Sequence, residues 1–185
     1  GSLNTAMGDG AGYANTTGSY NTAIGASALN SNTTASNSTA VGYQAGHNNT
    51  VGNQNTAVGF QSLYSNTGGQ LNTAVGSQAM QNATSSYNTA VGYQALKAAT
   101  GDNNSAFGYA SLLSNTSGRY NTGLSQSTLQ NNTTGSYSTA VGYAALLTNT
   151  TGSNNVSLGY GSLQSNTTAS NNTAVGYQAG FRNTT

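Results

Sequence analysis

Asn55-Thr-Ala-Val-Gly59 is followed seventeen residues later by Asn72-Thr-Ala-Val-Gly76, and sixteen after that by Asn88-Thr-Ala-Val-Gly92. Aligned on this string, the chain divides into eleven units starting at Asn4, Asn21, Ser38, Asn55, Asn72, Asn88, Asn104, Asn121, Ser138, Asn155 and Asn172. Nine are 17 residues long and two, at Asn72 and Asn88, are 16; with the last wrapping from Thr185 to Gly1 they account for all 185 residues. A period this short decides the fold before any single element is read. Helical solenoid repeats need about 33 residues or more, and no 3.6-residue apolar period survives across a unit. Each unit has one or two large aliphatic side chains, too few for a leucine-rich repeat. One coil of a β-solenoid remains: a short strand at Thr56-Ala-Val58, a bend at Gly59, a second segment through Gln61-Ser-Leu63, and a polar turn. The expected fold is therefore all-β, a parallel β-solenoid or β-roll of eleven coils, with residues 1–185 as a single repeat array. At about 4.8 Å per coil the rod is roughly 53 Å long. Positions 6 to 10 read as a second strand or as one helical turn, and the residues leave that open.

The columns of the repeat tolerate very different residues. Position 4 is always apolar, through Met7, Ile24, Val41, Val58, Val75, Val91, Phe107, Leu124, Val141, Leu158 and Val175, and is expected to be the inward-facing core ladder. Position 5 is Gly in ten units, with Ser125 the exception, as expected where φ is positive or a neighbouring chain comes too close for a Cβ. Position 8 is always small and position 9 is Leu or Met in eight units, a second apolar stripe. Position 1 is Asn4, Asn21, Asn55, Asn72, Asn88, Asn104, Asn121, Asn155 and Asn172, with Ser in two units. A residue copied at every coil becomes a ladder, and Asn ladders hydrogen-bond along a stack. Positions 12 to 16 read as a turn. Both short units lose their residue within positions 10 to 14, as repeat indels fall on loops.

Composition narrows the functions. The chain carries five charged side chains, Asp9, Asp102, Lys97, Arg119 and Arg182, or 3% of its residues, against roughly a quarter in a typical soluble domain. A net charge of +1 offers no electrostatic footprint for nucleic acid or an anionic membrane. No Cys is available for disulfides or thiolate metal sites, and no apolar run is long enough to span a membrane. Like charges stacked at each coil repel, which explains their scarcity. A coil buries too little apolar surface to offset the ordering of 17 residues, so lateral association is expected, most plausibly as a homotrimer or filament. The aromatic column at position 6 (Tyr43, Phe60, Tyr93, Tyr109, Tyr143, Tyr160, Tyr177) and Tyr20, Tyr87, Tyr120 and Tyr137 at position 17 are its expected surface. Neither end looks like a polar cap, so the chain reads as a segment of a longer fibre.

The string Asn55-Thr-Ala-Val-Gly59 resembles the short repeats in the heads of trimeric autotransporter adhesins, which form left-handed parallel β-rolls. The longer unit, Ser138-Thr-Ala-Val-Gly-Tyr-Ala-Ala-Leu-Leu-Thr-Asn-Thr-Thr-Gly152, is similar to arrays in bacterial and phage tail-fibre-like proteins. The similarity covers the whole chain. It implies an extracellular, cell-surface or virion fibre, acting as a stalk or as a repetitive attachment surface for a cell-surface or matrix ligand. It carries over no catalytic residue and no cofactor.

Individual side chains give little chemistry. His47 is expected in an exposed loop. Asp9 and Asp102 lie five coils apart, roughly 24 Å at 4.8 Å per coil, too far for a glycosidase pair, whose carboxyls lie within about 10 Å. No base is available to activate a Ser or Thr, so catalysis is not expected. Asn15, Asn32, Asn115, Asn132, Asn149, Asn166 and Asn183 stand in Asn-x-Ser/Thr sequons at position 12 and are candidate glycan acceptors on the polar turn. The Thr column at position 2 (Thr5, Thr22, Thr39, Thr56, Thr73, Thr89, Thr122, Thr139, Thr173) gives an alternative function, an ice-binding solenoid presenting Thr ladders. Against that, the usual Thr-x-Thr pair is missing. If Thr56 shares a face with the core residue Val58, as strand alternation requires, the column points inward or at a partner chain.

Overall fold

Three consecutive residues, in most units the strand formers Thr and Val on either side of a small Ala, are all that each unit commits to extended backbone. The computed structural model describes residues 1–184. Each unit contributes one three-residue strand: β1 Thr5–Met7, β2 Thr22–Ile24, β3 Thr39–Val41, β4 Thr56–Val58, β5 Thr73–Val75, β6 Thr89–Val91, β7 Ser105–Phe107, β8 Thr122–Leu124, β9 Thr139–Val141, β10 Val156–Leu158 and β11 Thr173–Val175. They form one parallel eleven-stranded sheet in sequence order. The register follows the repeat: Ala57 pairs with Ala74 and Ala74 with Ala90, unchanged across the 16-residue unit. The molecule is a parallel β-solenoid, and among the described residues there is no helix.

The core is not the predicted one. In β4 to β6 the central Ala is buried while the flanking Thr and Val are half-buried and turned outward. The whole position-4 column, from Met7 to Val175, stands on the outer face; Met7, Phe107, Leu124 and Val175 are the most exposed, with Val175 at 66%. The true core ladder is position 3 (Ala23, Ala40, Ala57, Ala74, Ala90, Ala106, Ala140) facing position 9 (Leu29, Leu63, Met80, Leu96, Leu112, Leu129, Leu146, Leu163). The reason is steric. Interior coils of 17 residues are narrow, and one Leu meeting one Ala across the section fills them. A Val on the inner face would overfill a space that Leu already occupies.

Positions 6 to 10 are neither a strand nor a right-handed helical turn. In the fourth coil Ser62 N–H donates to Gly59 C=O and Asn66 N–H to Leu63 C=O, closing two linked turns. Position 7 and position 9 both take positive φ, 51° at Gln61 and 50° at Leu63. Backbone groups left over bond to adjacent coils: Gln61 N–H to Tyr43 C=O, and Leu63 N–H to Ala79 C=O. So nearly the whole contour is laddered, although only three residues per coil are strand. The left-handed backbone also explains the composition of column 9. It holds Leu, Met or Gly and never Val or Ile, because β-branched side chains are poorly tolerated at positive φ.

Position 5 is glycine for both expected reasons. Gly59 has φ +129°, and a Cβ there would lie 2.6 Å from Gly76 O in the next coil. Ser125 holds the same strained backbone, φ 131°, with a side chain attached.

Candidate functional site

Four columns of side chains reach from one coil to the next, and they are the most distinctive constellation in the molecule. At position 1 every step is bonded: each Asn or Ser side-chain oxygen accepts from the backbone N–H of position 1 in the following coil. The sequence runs from Asn21 N–H on Asn4 Oδ1 to Asn172 N–H on Asn155 Oδ1, at 2.8 to 3.2 Å. Most of the Asn amide NH2 groups donate onward to the position-15 carbonyl at the far end of their own unit, one turn along the rod, as Asn55 Nδ2 does to Gly69 O at 2.7 Å and Asn121 Nδ2 to Gly135 O at 2.8 Å. The predicted Asn ladder is therefore present, buried in the interior coils, and almost fully satisfied.

Position 12 forms a second interior ladder, and here the glycosylation expectation fails. Asn32, Asn115, Asn132, Asn149 and Asn166 are buried, at no more than 1% exposure. Their Nδ2, the atom a glycan would occupy, donates inside the rod: Asn132 to Asn115 Oδ1 at 2.7 Å and to Gly135 O at 2.9 Å. Asn15 and Asn183 are half-buried in the terminal coils and join the same system. A sequon is a local pattern; whether its Asn is a turn residue or a rung depends on which way the turn folds.

This second ladder is broken. The two 16-residue units carry Ala83 and Ala99 at position 12, so Asn66 Oδ1 has no donor above it, and Asn32 Oδ1 is also without a partner. Two further columns, missed in the sequence, run over the outside of the turn. Position-13 Thr hydroxyls donate to the next Thr carbonyl, as Thr116 Oγ1 does to Thr133 O at 2.9 Å. Position-16 side chains accept from the previous coil's N–H, as Ser36 Oγ does from Ser19 at 3.0 Å. Asp102 is one of these rungs, accepting from Ser86 N–H at 2.9 Å. The recurrence of Ser at position 16, replaced at Asn53, Gln70, Asp102 and Arg119, was the available signal.

The outer face of the sheet presents Thr at position 2 beside the aliphatic of position 4. Of the two directions expected for the Thr column, inward or at a partner chain, the inward one is corrected: it shares a face with position 4 as alternation requires, and that face lies on the outside of the coil. Exposed aromatics stack along the axis, beyond the bend in Tyr43–Phe60, Tyr93–Tyr109, Tyr143–Tyr160 and Tyr160–Tyr177 and ahead of the strand in Tyr120–Tyr137, with centroids 5.1 to 5.7 Å apart. Gln61 Nε2 donates to Gln44 Oε1 at 2.8 Å beside the first pair. His47 is not in a free loop: it is half-buried, stacked on Tyr64 at 5.1 Å and bonded through Nδ1 to Asn48 Oδ1. Asp9 is exposed and far from Asp102. No three His, Cys, Asp or Glu side chains converge among the described residues. A cavity of about 50 Å³ lies beside Asn4, Ala6, Gly12 and Leu29, where Gly12 omits the Leu of column 9.

The fold and its ladders define a parallel β-solenoid with a polar, hydrogen-bonded interior. Searches found no matching family model, no matching curated protein and no matching solved structure.

Proposed function

We propose that the chain is a structural fibre segment, a stalk or repetitive attachment surface on the outside of a cell or virion, working as a homotrimer or filament. The observation that carries this reading is the density of bonds between successive coils. The hydrogen bonds between backbone strands, those of the position-1 and position-12 amides, and those of the outer hydroxyl columns run along the axis from coil to coil, so a pull along the rod is shared by several bonds in every step. Nothing comparable gathers around a pocket. The half-exposed aliphatic column of position 4 gives partner chains an uncharged surface to pack on. Sedimentation equilibrium and cryo-EM test it: the reading expects three chains per cross-section, an axial repeat near about 4.8 Å, and binding to cell surfaces or glycans in an array screen. A monomeric rod that binds no surface overturns it.

A second reading has one observation in its favour. The Thr column lies on the outer face of an uncharged parallel sheet, which suits an ice-binding face. Thermal hysteresis that disappears when Thr56, Thr73 and Thr89 are replaced together by Lys, with the fold retained, selects this reading over the fibre.

A further inference from the structure

The aromatic rows carry a chemistry that neither reading uses. The chain has 12 Tyr and no Cys or Trp, so phenols are its main oxidisable side chains besides two Met. Four Tyr–Tyr contacts are stacked with nearly parallel rings: Tyr93–Tyr109 at 5.4 Å, Tyr120–Tyr137 at 5.1 Å and 8° between planes, Tyr143–Tyr160 at 5.2 Å, and Tyr160–Tyr177 at 5.4 Å. All six other than Tyr143 are over 43% exposed, and Tyr143 is at 43%. Each pair joins adjacent coils, and each ring is anchored on backbone whose position is fixed by the ladder. Stacked this way the rings cover each other's faces and turn their edges and hydroxyls to solvent. A flat ligand therefore finds no open ring face within a row, whereas a small oxidant reaches the phenols freely.

We propose that these pairs are sites of axial dityrosine cross-linking by a one-electron oxidant such as a peroxidase with hydrogen peroxide. Each phenol of a pair loses one electron and one proton to become a phenoxyl radical. The two radicals couple through the carbons ortho to oxygen, forming one C–C bond, and tautomerisation restores both phenols. The pair loses two electrons and two protons in total; one hydrogen peroxide takes them up and becomes two waters. The link staples coil to neighbouring coil in a chain that has no cysteine to do so. Tyr160 belongs to two contacts, so one coupling at each phenol gives a chain with three links.

The row also contains its own control. Phe60 stands where the Tyr43 column would otherwise hold a second phenol, at 5.7 Å and 14°. The ladder thus already accepts either ring, and exchanging Tyr and Phe leaves the fold in place. The experiment treats the full chain with peroxidase and hydrogen peroxide over a range of protein dilutions, then reads dityrosine fluorescence, intact mass and cross-linked peptides. Expected are links at 93–109, 120–137 and either 143–160 or 160–177, in chains that still migrate as single chains, with a yield per molecule independent of dilution. Tyr137→Phe removes the 120–137 peptide alone, and Phe60→Tyr adds a new link to Tyr43. Absence of dityrosine, links that form only between molecules, the same link pattern in denaturant, or no new link in Phe60→Tyr each overturns the proposal.

Discussion

Two columns of asparagine run through the same interior and differ in one respect. Position 1, with Ser38 and Ser138 among its Asn rungs, is bonded at every step from Asn4 to Asn172, whereas position 12, already open between Asn32 and Asn49, breaks off at Asn66 and resumes at Asn115. The break coincides with the two 16-residue coils, residues 72–103, where the turn is shorter by one residue and Ala83 and Ala99 replace the amide. The backbone registers of β5, β6 and β7 are unaffected. A solenoid of this kind therefore tolerates loss of one side-chain ladder where the turn changes length, provided that the ladder next to the strand persists. Position 1 precedes the strand directly, and its side chain holds the backbone N–H that would otherwise be left between two strand registers. Position 12 ties down a turn that has other bonds.

That contrast orders the expected effects of truncation. Asn88→Ala removes a rung whose Oδ1 accepts from both Asn104 N–H and Asn104 Nδ2 and whose Nδ2 binds Ser85 Oγ and Ser86 O. Buried partners are stranded on both sides, and the loss expected in a chemical denaturation curve is about 3 kcal/mol. Asn132→Ala, in the intact part of the second ladder, strands Asn115 Oδ1 below and Asn149 Nδ2 above, although the latter keeps Gly152 O; about 2 kcal/mol is expected. Asn66→Ala lies at the break, where Oδ1 serves no donor and Gly69 O retains Asn55 Nδ2, and its cost falls to about 1 kcal/mol. Equal losses for Asn132→Ala and Asn66→Ala would show that the break carries no energetic meaning. The smallest effect is a gain: Ser125→Gly relieves a non-glycine residue at φ 131° and is expected to raise stability by about 1 kcal/mol, read as a higher unfolding midpoint.

The repeat, its strand and the position-1 ladder were legible in the sequence, because identical residues at a fixed period must stack. The choice of face was not. In Thr56-Ala-Val58 alternation sets Thr and Val on one side and Ala on the other, and hydropathy alone assigns Val to the core. A strand of three residues gives no second cycle to check the phase, and a wrong phase reverses every side chain. The correct signal was elsewhere, in the exclusion of β-branched residues from position 9, which marks Leu63 and its equivalents as left-handed and inward. The sequons of position 12 misled for a related reason: polar composition was read as exposure, but in a narrow rod a hydrogen-bonded amide is as good a filler as an aliphatic group.

All the position-1 rungs point the same way, each oxygen offered to the coil that comes after it in the chain. The hydrogen bonds between coils span no more than 20 residues of sequence. As the polypeptide leaves the ribosome, a finished coil thus already displays the acceptors, Asn55 Oδ1 for Asn72 and Asn72 Oδ1 for Asn88, that receive the next one. Growth is vectorial, and the template for each turn of the rod is the turn synthesised just before it.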